Sequence, residues 1–284
     1  MKTSNNLKTI KQQQRDNWNA LSDVCLKWEE LFEIGAKSVN KTLFEQVNLK
    51  EGQRVLDIAT GIGEPALSAS SIVGHRGKVV GIDIAESMIE IAKQRGANQK
   101  NLEYMVLDAE AIDYKKQFDV VLSRFGLMFL PNVNYVFEKI YAALNSEGSL
   151  AFSVWDTPDK VPMVSLAFGI IVRELELPPP PKGQPNPFSM SDPKSVTSVL
   201  RNIGFSNINL QKVTVPFVFG SIDEFLRYSD DLLPPAIKTL INSRFSFDEI
   251  TIIWDKIRDI ALQYENSDGT LTLNCSAVCI CAEK

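Results

Sequence analysis

Histidine is almost missing from this 284-residue chain; His75 is the only one. Chemistry that needs an imidazole base paired with a second imidazole, or a histidine-rich metal centre, is thereby excluded. A surplus of positive charge is also absent. Thirty Lys and Arg face thirty-five Asp and Glu, for a net charge of −5 and an isoelectric point near 5.2. A nucleic-acid partner would want a basic face, so none is expected. There is no long apolar run either. The longest, Val161 to Val172, is interrupted by Pro162 and Ser165 and is too short to span a bilayer. The first residues, Met1-Lys-Thr-Ser-Asn-Asn-Leu, lack a signal-peptide core, so a cytoplasmic protein without stable membrane insertion is expected.

Cysteine is scarce, at four residues. Cys275, Cys279 and Cys281 cluster near the C-terminus, but they share a period of two with Leu271, Leu273 and Ala277. That is one face of a strand, with Thr272, Asn274 and Ser276 on the other. Neither a disulfide framework nor a metal site is expected.

What is present is concentrated after residue 50. Val55-Leu56-Asp57-Ile-Ala59-Thr-Gly61-Ile-Gly63 reads as a buried strand ending in a carboxylate, then a glycine-rich turn, then a helix over 64–71. Glycine lets such a turn fold sharply and approach a ligand. Twenty-six residues after Asp57, the run Lys78-Val-Val-Gly-Ile ends in Asp83, at the place where open α/β sheets hold a ribose. An adenosine-containing ligand follows. Gly61-Ile-Gly63-Glu-Pro-Ala66 formally fits the spacing of a dinucleotide fingerprint. Glu64, however, puts an anion where a pyrophosphate would sit, and Asp57 adds another. A ligand with ammonium and sulfonium charge suits this turn better, which indicates S-adenosylmethionine (SAM).

Further along, Val80-Gly-Ile-Asp83-Ile-Ala-Glu-Ser-Met88, Leu107-Asp108-Ala109-Glu110, Phe118-Asp-Val-Val-Leu-Ser-Arg-Phe-Gly-Leu-Met-Phe-Leu130 and Leu144-Asn-Ser-Glu-Gly148-Ser-Leu follow in order. Together with the first motif they resemble class I SAM-dependent methyltransferases, nearest to the ubiquinone/menaquinone-biosynthesis C-methyltransferase group. The resemblance is close over residues 50–155. Ser146 and Glu147 depart from the group's Pro-Gly before the fifth strand.

Strands are read at 54–57, 78–83, 102–107, 118–123 and 149–155, with helices between them, notably 86–95 and 133–144. This alternation predicts an α/β, Rossmann-like doubly wound sheet. The resemblance implies seven strands in the order 3-2-1-4-5-7-6, the seventh antiparallel, with 208–219 and 270–281 as strands six and seven. Three regions are expected: an N-terminal helical cap over 1–45, a SAM-binding core over 46–156, and the rest of the sheet over 157–284. In the cap, Leu7, Ile10, Trp18, Leu21, Cys25, Trp28 and Phe32 form an amphipathic stripe. The last region carries six prolines within 178–187, a helix opened by Ser191-Asp-Pro-Lys, and a helical insertion over 221–265 beginning at the N-cap signature Ser221-Ile-Asp-Glu.

From position and resemblance, the cofactor is expected against Asp57, Ala59, Gly61, Gly63, Asp83, Ile84, Met88, Asp108, Ala109 and Ser123. Asp83 takes the ribose hydroxyls, Ile84 and Met88 flank the adenine, Asp108 takes its amino group, and Ser123 touches the methionine moiety. The methyl acceptor is expected among Arg124, Phe125, Met128, Phe129 and Trp155, closed over by Phe188, Phe225 and Tyr228. This set suits a small, planar or lipophilic molecule methylated at carbon or oxygen by in-line displacement. Arg124 either holds an acceptor oxygen or pairs with Glu110 or Asp156. His75, in the turn Val73-Gly-His-Arg-Gly77 at the other end of the sheet, is no candidate base. An NAD(P)-dependent reductase and a non-catalytic SAM-binding partner subunit remain as alternatives, and the chain is expected as a monomer or homodimer.

Overall fold

The computed structural model describes residues 2–178 and 184–284. Pro179, Pro180 and Pro181 of the proline-rich segment lie outside the described residues. Among the described residues seven strands form one sheet: β1 (Arg54–Ile58), β2 (Lys78–Asp83), β3 (Leu102–Val106), β4 (Phe118–Arg124), β5 (Leu144–Trp155), β6 (Ser206–Phe219) and β7 (Leu271–Glu283). Their order is β3-β2-β1-β4-β5-β7-β6, as the resemblance implied. The first five are parallel, and β7 runs antiparallel to both β5 and β6.

The central strands are apolar because they are covered on both faces. Val55, Leu56 and Ile58 of β1 and Val121 and Leu122 of β4 are fully buried. Helices α3 (Ala66–Val73), α4 (Glu86–Arg95) and α5 (Val133–Ala143) make the crossovers. Two helices, α1 (Lys2–Lys27) and α2 (Glu29–Gln46), precede the sheet. The N-terminal segment is thus two helices, divided at Trp28 (φ −101°, ψ 14°). Helix α2 lies along β5, β6 and β7. Its Gly35 sets the distance, since a Cβ there would fall 2.8 Å from the Pro216 carbonyl oxygen.

After β5 the chain forms α6 (Pro162–Glu174), whose Met163, Leu166, Ala167, Ile170 and Ile171 are buried. This is the apolar run noted in the sequence, and Pro162 sits at its first turn, where a missing N–H does no harm. Helix α7 (Pro193–Ile203) is capped by Asp192, which accepts from the Lys194 N–H, and stops at Gly204. The 221–265 insertion contains α8 (Ile222–Asp231), α9 (Pro235–Arg244) and α10 (Phe247–Ala261). The Ser221 side chain caps α8 at the Glu224 N–H, as its sequence signature indicated.

Two strand readings change. β5 starts five residues early, at Leu144, with a pairing irregularity against β4 between Phe118 and Val120. On β7 the alternation of buried and open positions holds only as far as Ala277; from Val278 to Ala282 every residue is buried. The reason is position: β7 is an interior strand, and both of its faces are covered there. The three cysteines on it are buried free thiols, consistent with their reading as small hydrophobes.

Candidate functional site

A cavity of about 700 Å³ opens at the carboxyl ends of β1 to β4, where the strand order reverses between β1 and β4. That volume lies in the range of clefts that bury a small ligand, roughly 300–1,000 Å³. Its floor is the turn after β1. Ala59 and Gly61 have φ of +55° and +56°, the left-handed region that L-residues avoid. A Cβ built on Gly61 would meet nothing within 4 Å, so this turn presents bare backbone to open space. Phe125, just after β4, is a second non-glycine residue at positive φ (+56°). Both outliers line the cavity, and such conformations concentrate where a fold holds a ligand.

Asp83 ends β2 at the same rim. One carboxylate oxygen accepts from the Gly61 N–H at 2.9 Å and the other from the Ala85 N–H at 2.9 Å. Burial raises its pKa, and these two bonds only partly oppose that. The side chain therefore holds the glycine turn in place while still lining the cavity. Ile84, Met88, Asp108 and Ala109 continue the wall. Glu110 Oε1 lies on this wall, is buried and has no hydrogen-bond partner among the described residues. Open backbone, a rim carboxylate and an orphaned carboxylate oxygen fit an adenosine-bearing cation such as SAM.

Asp57, Gly63 and Ser123 do not line the cavity. Asp57 lies beneath it, fully buried, accepting from the Ala66 N–H at 3.2 Å, because its strand position points it at the start of α3. The Gly63 carbonyl accepts from the Tyr104 hydroxyl at 2.7 Å. Tyr104, on β3, props up the turn from below. The Ser123 hydroxyl is enclosed within the sheet. Asp108 is also already engaged: its carboxylate accepts from the Glu110 N–H at 2.9 Å and binds Lys11 Nζ of α1 at 2.7 Å. Burial pulls the Lys11 pKa down, but Asp108 and Glu110 outweigh it and hold it above the ordinary lysine value.

The other end of the cavity is aromatic. Phe125 stacks on Trp155 with ring centroids 3.9 Å apart, and Trp18 meets Phe129 edge-on at 5.0 Å. Met128, Met163 and Tyr228 add to this wall. Phe188 and Phe225 stay out of it. Phe225 is spent on packing against Phe219 at 5.4 Å, while Asn186 and Pro187 occupy the place expected for Phe188.

Arg124 sits between the two ends, and its partner corrects the sequence reading. It forms a two-pronged pair with Glu33 of α2, at 2.8 and 2.5 Å, and donates to Asn40 at 3.2 Å. Neither Glu110 nor Asp156 reaches it; Glu110 is held by Lys11 and Asp156 by Lys212 and Ser276. Sequence spacing carried no signal for Glu33, because its partner is 91 residues away. Burial opposes the Arg124 charge, but Glu33, with Glu64 and Asp57 nearby, keeps its pKa above the ordinary value. Glu64 is raised by burial, with Ser68 and Arg124 pulling the other way. Arg95 performs a similar service on the far side of the turn, donating to the Ile62 carbonyl and to Glu29.

Charge is therefore lopsided. Glu29, Glu33, Glu64, Asp83, Asp108 and Glu110 line the cavity against Lys11 and Arg124, and both cations are tied to carboxylates. Among the described residues no lining cation is left for an anionic ligand.

Asp57 offers a pH test. Burial pushes its pKa up to about 7, against the lowering pull of Thr60, Arg124 and the Ala66 N–H. The folded state thus prefers the protonated form. Its contribution to stability is complete below about pH 4, the unfolded value, and is lost as pH rises through 7. The Asp57→Asn protein should show a flatter urea midpoint across that window than the wild type. Identical slopes would mean that Asp57 is ionised throughout.

Comparison with known proteins agrees with this geometry. Residues 49–176 match the family described as a methyltransferase domain. Demethylmenaquinone methyltransferase of Staphylococcus saprophyticus is 24% identical over 193 residues, covering 63% of this chain and 81% of that enzyme. Against two further enzymes of that name the chain spans only about half the length, 49% and 54%. Among solved structures, the YcgJ protein of Bacillus subtilis has a TM-score of 0.58 at 17% identity, over 86% of this chain and 97% of its own. Phosphoethanolamine N-methyltransferase 2 of Haemonchus contortus, solved with SAM, has a TM-score of 0.53 at 22% identity, over 87% of this chain and 52% of its own.

Proposed function

We propose that the chain is a class I SAM-dependent methyltransferase resembling the ubiquinone/menaquinone-biosynthesis group, and that it transfers the methyl group of SAM to a small, uncharged, planar or lipophilic acceptor; the methyltransferase-domain match over residues 49–176 supports this reading. The observation that carries the acceptor class is the cavity itself, carboxylate-rich at one end and aromatic at the other, with both of its cations paired.

SAM supplies a methyl group already activated by sulfonium charge. What the protein must add is alignment and exclusion of water, which can supply much of the acceleration in such a displacement. Asp83 and the open backbone at Gly61 hold the adenosine end. Six lining carboxylates favour a cationic cofactor, and they repel the pyrophosphate that a reductase would need. The stacked Phe125 and Trp155 rings offer a flat surface to a planar acceptor. Cys25 also lines the cavity, its thiol pushed up to about 11 by burial with Asp83 nearby. The Tyr228 hydroxyl is raised further, by burial. Neither group is a base at neutral pH, so an acceptor that must lose a proton yields it to a lining carboxylate or to water.

A phosphorylated amine acceptor, of the kind named for the Haemonchus enzyme, is disfavoured because Arg124 is closed off by Glu33. The test is direct: incubate the protein with SAM and, separately, naphthols, hydroquinones and phosphoethanolamine, and follow mass gain by one methyl group. Transfer to the aromatic compounds but not to phosphoethanolamine is expected. Methylated phosphoethanolamine would overturn the acceptor class.

A further inference from the structure

Tyr228 is a hydroxyl placed where the fold gives it little to do. It lies on α8, is 4% exposed and lines the aromatic end of the cavity. Its ring is fixed on two sides, edge-on to Trp28 at 5.4 Å and to Phe219 at 5.2 Å. Trp28 is itself held, because its indole N–H donates to Asp231 at 2.9 Å. The hydroxyl is thus positioned rigidly, yet its partner is the Met163 sulfur of α6 at 3.3 Å. A thioether is a weak acceptor, and a buried hydroxyl without a good acceptor is costly. Ser229, the next residue, also lines the cavity, and its buried hydroxyl has no partner among the described residues.

We propose that Tyr228 determines acceptor specificity, its hydroxyl leaving the Met163 sulfur to donate a hydrogen bond to a carbonyl or phenolic oxygen of the bound acceptor. The inference rests on the methyltransferase reading and adds to it a neutral, single-point polar anchor within an apolar chamber. Burial keeps the hydroxyl protonated, so it acts as a donor throughout. Met163 holds the rotamer ready and then gives way to the stronger acceptor. An acceptor of the same shape without the oxygen leaves the sulfur contact in place and gains nothing.

Fluorescence titration tests this, with 2-naphthol and its methyl-for-hydroxyl analogue 2-methylnaphthalene as probes, in the presence of S-adenosylhomocysteine. The wild type should prefer 2-naphthol by about 3- to 10-fold, the range of one hydrogen bond. Tyr228→Phe should bind both probes alike while binding S-adenosylhomocysteine as before. Met163→Leu, which removes the competing sulfur, should keep or widen the preference. The proposal is overturned if Tyr228→Phe retains the preference, if Met163→Leu abolishes it, or if the wild type binds neither probe or both equally. Failure of the wild type to bind S-adenosylhomocysteine at all would instead bring down the methyltransferase reading, and this inference with it.

Discussion

Asp83→Ala should weaken SAM binding by at least about 100-fold in calorimetric titration. Two bonds from ribose hydroxyls to a carboxylate are together worth about 3–6 kcal/mol gross, and roughly 2.7 kcal/mol surviving desolvation is already a hundredfold in affinity. The substitution acts a second way, since the Gly61 and Ala85 N–H groups lose their acceptor. Among the described residues, the backbone bond that still ties the glycine turn to β2 is that from the Thr60 N–H to the Ile82 carbonyl, at 3.0 Å. Asp83→Asn separates the two effects: it keeps an acceptor oxygen but loses the charge, and should fall between alanine and wild type. Glu86→Ala, three residues further on but outside the cavity lining and engaged with Asn19, should bind SAM normally. Wild-type affinity in Asp83→Ala would remove the ribose from this position.

The second large effect concerns stability. Arg124→Met leaves the Glu33 carboxylate facing a buried apolar side chain, and breaking such a pair by removing one partner typically loses 3–5 kcal/mol. At roughly 2–4 °C per kcal/mol for a chain of this size, the melting temperature should fall by on the order of 10 °C. Adding Glu33→Gln to that variant should recover much of the loss, because the stranded charge is gone. A further decline in the double variant would mean that Glu33 stabilises the protein independently of its pairing with Arg124. Glu64 and Asp57 both feel Arg124 as a lowering influence. In Arg124→Met their pKa values should rise further, and the variant should lose least stability at acid pH.

How far these features could be read from the sequence depended on whether the signal was local. β1, β2 and β4 were legible because strands buried on both faces leave unbroken apolar runs, and Asp83 was legible because it ends one of them. The caps at Ser221 and Asp192 were equally readable, each being a contact within three residues. Glu33, Lys11 and the Arg95–Glu29 pair were not. Their partners lie 66 or more residues away, and charge alone does not say which acid meets which base. Tyr104 was hidden for another reason. It looks like an ordinary strand aromatic, yet Cβ atoms built on Gly63 and Gly81 would each come within 2.6 Å of it, so those glycines answer to a side chain on the neighbouring strand. Helix α6 was missed because its partly exposed positions Val164, Phe168 and Val172 are as apolar as its buried ones, which hides the helical period, and Asp57 lies under the turn because its carboxylate faces the start of α3.

The bridge between Asp231 and the junction of the first two helices has a consequence in time. Asp231 binds Lys27 Nζ at 2.6 Å and the Trp28 indole at 2.9 Å, across 204 and 203 residues of chain. During synthesis at about 5–20 residues per second, Trp28 emerges some tens of seconds before the residue that will hold it. Through that interval the apolar stripe containing Trp18, Trp28 and Phe32 has no roof to complete. The nascent chain therefore exposes this helical stripe early and completes the cavity wall only once α8 has been made.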